Sequence, residues 1–74
     1  MSERDPRVDP MPGDVVRKGE IDRHVIEIRV GILDSVYVVY HSNYYRPFND
    51  SPLSRWRNWC RGAEVVAAAG ETKP

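Results

Sequence analysis

The feature that most constrains the fold is residues 51–62, SPLSRWRNWCRG, a short helix-forming stretch that carries both tryptophans of the chain. Ser51 suits an N-cap, because its hydroxyl accepts a hydrogen bond from an orphan N–H of the first turn. Pro52 suits the first helical position, where its fixed φ is already helical and its missing N–H costs little. Gly62 suits the left-handed residue that closes a helix, and Arg61 puts a cation in the last turn, where the macrodipole favours one. At about 100° per residue, Leu53, Trp56 and Cys60 share one face, Trp59 flanks them beside Arg55, and Arg57 and Arg61 lie on the opposite shoulder. So short a helix is not stable by itself, so its apolar face must cover something.

What it covers reads as β-structure. Residues 23–30, RHVIEIRV, alternate as a half-buried strand does, with Ile26, Ile28 and Val30 on one face and Val25, Glu27 and Arg29 on the other. Residues 35–41, SVYVVYH, are β-branched and aromatic throughout, and both faces are apolar, so each needs at least partial cover. Gly31 to Asp34 is the turn between them, an unusually apolar one because of Ile32 and Leu33. A short first strand is expected over 14–18, a fourth over Tyr44 to Phe48 that Pro47 cuts short, and a closing strand over Ala63 to Ala67. Residues 1–13 hold three prolines and alternating charges and read as an arm, with Val8 and Met11 as its anchors; 68–74 read as a frayed tail.

The expected organisation is therefore a Pro-rich arm over 1–13, one small domain over 14–67 and a flexible tail over 68–74. Seventy-four residues bury only a little over ~60% of their surface on folding, so every large apolar side chain matters. Short meandering strands that must bury two faces favour a mainly β fold, a small SH3-like antiparallel β-barrel with one short helix before the last strand. The helix would cover residues such as Ile26, Ile28 and Val38. The alternative is an α+β fold, an antiparallel sheet with the helix packed on it.

The opening residues Asp5–Arg17 (DPRVDPMPGDVVR), followed by an apolar hairpin and then Trp56–Val66 (WRNWCRGAEVV), resemble a group of small uncharacterised phage and prophage proteins. The piece PGDVV at 12–16 is also similar to the first strand of SH3-like, KOW-type barrels. The resemblance touches both ends of the chain and transfers no catalytic or binding residue. By fold analogy it implies a module that binds RNA or protein.

Composition narrows the function classes. Formal net charge is zero, which argues against a strongly basic nucleic-acid binder, yet residues 42–61 hold Arg46, Arg55, Arg57 and Arg61 against Asp50 alone. A modest basic face carried by arginine is expected there. A single cysteine excludes an internal disulfide, and no apolar run approaches the ~18 residues of a membrane span, so a cytoplasmic location without membrane contact is the default expectation. His24, His41, Cys60 and scattered carboxylates show no metal-ligand spacing, and the two histidines meet only if their strands pair in the right register. Ordinary strand histidines and a buried thiol are the plainer reading. Cys60 as a nucleophile would sit near the helix C-terminus, against the dipole, and fits a small core hydrophobe better.

No nucleophile elbow, phosphate-cradling glycine loop or carboxylate pair appears, so neither an enzyme nor a cofactor nor a small-molecule pocket is expected. The suggestive group is Tyr37, Tyr40, Tyr44, Tyr45 and Arg46 with the Arg/Trp helix. Tyrosine, tryptophan and arginine dominate protein hot spots, and the same mixture stacks bases and holds phosphates. The plain alternative puts Tyr40, Trp56 and Tyr44 in the core with the arginines solvating the helix. Trp59 is the aromatic residue least needed inside. The sequence thus points to a non-catalytic binding module whose contact residues are Trp59, Arg55, Tyr45, Arg46, Arg57 and Arg61. A protein partner or self-association is favoured over single-stranded nucleic acid, because zero net charge supplies little counterion release.

Overall fold

The computed structural model describes residues 4–43 and 48–69. Among these, five strands form one antiparallel sheet: β1 (Val15–Lys18), β2 (Ile21–Val30), β3 (Val36–Ser42), β4 (Asn49–Pro52) and β5 (Glu64–Ala67), with one α-helix, α1 (Leu53–Trp59), before the last strand. The fold is mainly β, as the alternation and β-branched content require. The sheet order is β4-β3-β2-β1-β5, so β4 and β5 end the ladder, and α1 connects them along the chain.

The core forms where the helix meets the inner face of the sheet. Val16, Val25, Val38 and Tyr40 come from β1 to β3, and Trp56, Cys60 and Ala63 come from the helix and the turn after it. Trp56 is completely buried, and its ring centre lies 5.5 Å from that of Tyr40 in a tilted aromatic contact. At about 25 cal/mol per Å² of apolar surface, one tryptophan of this kind is among the largest single contributions available to so small a core. Ile28, Leu53 and Trp59 pack around the rim.

Three local departures from the sequence reading have clear causes. Val25 opposes Tyr40 and Glu27 opposes Val39, so Ile26 is an extra residue on β2. That β-bulge resets the alternation: Val25 is buried, Ile26 is 40% exposed, and Ile28 returns to the inner side. Ile26 therefore does not lie under the helix. Secondly, the helix starts at Leu53, not Pro52. Ser51 and Pro52 belong to β4, opposite Val38 and Tyr37, and the Ser51 hydroxyl donates to the Pro52 carbonyl at 3.3 Å instead of capping. Thirdly, the strand that pairs with β3 is Asn49–Pro52; the stretch 44–47 where a fourth strand was expected lies outside the described residues. Gly62, at φ +80°, closes the turn after the helix as its composition suggests.

The proline-rich arm is a structural part of the body over residues 4–13. Pro6 and Pro10 are buried, whereas Val8 and Met11, the expected anchors, are each 44% exposed. The docking is polar: the Trp56 indole Nε1 donates to the Pro6 carbonyl at 3.1 Å, Arg57 Nε to Val8 at 2.9 Å and Arg7 to Ala63 at 3.1 Å. Prolines supply rigid apolar contact and leave their carbonyls free to accept, which suits an arm held by side-chain donors.

The arm and β5 converge on Asp14, a fully buried carboxylate. Arg4 donates to it twice, at 2.6 and 3.0 Å, and the backbone amides of Met11 and Ala69 donate at 2.7 and 2.6 Å. Burial pushes the Asp14 pKa up, but the hydrogen bonds from Arg4, Ala69 and Met11 outweigh it and hold the group below the ordinary carboxylate value. One side chain thus ties residue 4, the start of β1 and the end of β5 together.

Candidate binding surface

The helix has a wet side and a dry side. On the wet side Arg55, Arg57 and Arg61 are exposed, and with Ser54 and Asn58 they line a shallow concavity of about 420 Å³. Among the described residues no carboxylate lines it. Arg57 is partly engaged, since it donates to Val8 and lies 3.5 Å from Asp9, an exposed pair worth little in water. A second concavity of about 310 Å³ adjoins along the same side, lined by Asp5, Arg7, Val8, Arg57, Cys60, Arg61 and Gly62. Arginine forks spaced along one short helix suit planar anionic groups, carboxylate or phosphate alike.

The dry side disposes of the aromatic rings. Trp59 is half-buried, with its ring 6.4 Å from that of Trp56. The guanidinium of Arg23, itself largely buried, sits 3.8 Å from the Trp59 ring centre and 4.3 Å from that of Tyr40, stacked between them. Lys18 approaches Trp59 as well, 5.5 Å from its ring centre, while its ammonium donates to the Trp59 carbonyl at 2.9 Å. Trp59 is therefore clasped by two cations of its own chain and is not the free aromatic contact its position suggests. Sequence reasoning missed Arg23. Arg23 shares a face with Val25 on β2, the face that simple alternation turns away from the helix; the bulge at Ile26 leaves that face inward, where the rings of Tyr40, Trp56 and Trp59 receive the guanidinium.

Of the residues singled out from sequence, Arg55, Arg57 and Arg61 come together on one exposed face, and Trp59 lies behind them as packing. Tyr45 and Arg46 lie outside the described residues. Tyr40 is core and Tyr37 half-buried, so neither adds an open stacking face to the helix. Cys60 is buried, and desolvation pushes its thiol up to about 11, with Arg23 and Arg7 opposing weakly. It is a packing residue, not a nucleophile poised for reaction at neutral pH. Among the described residues no helix is long and apolar enough to cross a membrane.

Comparison of the chain with protein-family models, with curated proteins and with solved structures gives no match.

Proposed function

We propose that this chain is a non-catalytic binding module that engages an acidic segment of another protein through the arginine face of α1. One observation carries the reading: Arg55, Arg57 and Arg61 surround a concavity that, among the described residues, no carboxylate lines, on a chain whose net charge is zero. A local cationic face on a neutral body gives short-range, orientation-dependent attraction rather than the long-range field of a nucleic-acid binder. The disposition of the tryptophans favours protein over single-stranded nucleic acid. Bases bind by stacking on open aromatic faces, and Trp56 and Trp59 spend theirs on Tyr40, Arg23 and Lys18. A phage or prophage setting, an SH3-like assignment of the sheet and a cytoplasmic location belong to this same proposal.

The test is a fluorescence-anisotropy titration with a labelled glutamate-rich peptide and, separately, a labelled single-stranded oligonucleotide, each at low and physiological salt. Binding of the peptide, weakened by salt and reduced at least about tenfold in the Arg55→Ser/Arg61→Ser variant, is the expected result. Preferential binding of the oligonucleotide would transfer the proposal to nucleic acid. Failure of both ligands to bind at low salt would end it.

A further inference from the structure

The register of the central hairpin places His24 directly opposite His41, on the face of the sheet turned away from the helix. Both side chains are exposed, and their ring centres lie 6.4 Å apart. Phe48 stands against the far side of His41, with ring centres 5.9 Å apart, as an apolar wall. The condition that the sequence left open, that the two strands pair so as to bring the histidines together, is met.

We propose that His24 and His41 form a cross-strand chelate site for one borderline divalent metal ion of the zinc, nickel or copper class. The distances allow it. With metal–nitrogen bonds of about 2.0–2.1 Å and a ring centre about 1.1 Å behind each nitrogen, two imidazoles on one tetrahedral ion have centres about 5.2 Å apart. The remaining distance of roughly 1 Å is within the reach of rotamer adjustment in exposed side chains, which occurs on the picosecond to nanosecond scale. The backbone needs no rearrangement, because directly opposed residues of an antiparallel pair already hold their Cβ atoms about 4.5–5.5 Å apart. Imidazole nitrogen selects this class of ion over magnesium or calcium, which prefer oxygen.

The donor set also fixes the kind of site. Among the described residues no cluster of three or more His, Cys, Asp or Glu side chains stands ready to enclose an ion. Two protein ligands leave the remaining positions to water or to an exchangeable donor, so the site is open and reversible rather than a closed structural one. Bound metal would bridge β2 and β3 and so stabilise the native state.

The experiment is thermal denaturation of the untagged full chain with Zn²⁺ alone, with Mg²⁺ as control, in the wild type and in His24→Gln and His41→Gln. At a tenfold excess over its Kd the metal should raise Tm by about 6–10 °C, and each single variant should lose that rise. Ni²⁺ added to ¹⁵N-labelled protein should broaden resonances around residues 24, 41 and 48 first. No rise with Zn²⁺ up to millimolar, an equal rise with Mg²⁺, or a rise that survives either substitution would overturn the proposal.

Discussion

Replacing Asp14 by asparagine is the perturbation with the largest effect for the smallest change in shape. In the native protein Oδ1 accepts from Arg4 and the Ala69 amide, and Oδ2 accepts from Arg4 and the Met11 amide. Whichever way the new amide turns, its NH₂ group faces two donors, so two of the four bonds are lost and a backbone N–H is left unsatisfied in a buried place. Breaking a buried ion pair costs about 3–5 kcal/mol. Arg4 keeps some access to water (20% side-chain exposure), so about 2–4 kcal/mol is the fair expectation. Against a total stability of about 4–11 kcal/mol for a chain of this length, the loss lowers Tm by about 8–32 °C.

The same group predicts how that loss depends on pH. The folded-state pKa of Asp14 is depressed below its unfolded value of about 3.9, so its stabilising contribution is complete above that value. It declines as pH falls through the folded-state pKa. The asparagine variant has no such proton to bind. Urea denaturation followed by tryptophan fluorescence from pH 7 to pH 2 should therefore show a gap between wild type and variant that is constant above about pH 4 and narrows below it. A gap under about 1 kcal/mol at pH 7, or one that does not narrow in acid, would refute the reading of Asp14 as the knot between arm and sheet.

Three further outcomes are expected. Leu33 is 92% exposed at φ +59°, so Leu33→Asn relieves left-handed strain without losing burial and should raise stability by about 0.5 kcal/mol in the same denaturation assay. Gly13 sits at φ +101° with the Ala69 Cβ only 3.1 Å from where its own would be, so Gly13→Ala should cost over about 1 kcal/mol through strain and contact together. Cys60, buried and with its thiol pushed up to about 11, should react with a disulfide reagent at neutral pH only at the rate at which the chain opens; immediate labelling of folded protein would contradict its packing role.

Much of the architecture was legible because its physics is local. Alternation in RHVIEIRV, β-branching in SVYVVYH and the spacing of Leu53, Trp56 and Cys60 each depend on residues a few positions apart, and β2, β3 and α1 formed where those patterns lie. What escaped depended on partners distant in the chain. The bulge at Ile26 is settled by how β2 meets β3, not by β2 itself. Asp14 reads only as the first residue of a short strand until Arg4 and Ala69 arrive from opposite ends of the chain. Ser51 and Pro52 carry good helix-start chemistry, yet pairing with β3 offered their backbone more than a cap did. For the candidate surface, helical periodicity correctly put Arg57 and Arg61 outside. It did not show how far Trp59 is packed, because the cations against its ring, Arg23 and Lys18, lie on β2 and β1.

The proposed function divides labour across α1, with indoles turned in for structure and exposed guanidinium groups offered for contact. A ¹⁵N NMR titration with a glutamate-rich peptide, read at the side-chain resonances, tests it directly. Movement of the Arg55, Arg57 and Arg61 Nε signals with the Trp56 and Trp59 indole signals almost still is the predicted result. Indole signals that move while the arginine signals stay fixed would contradict it.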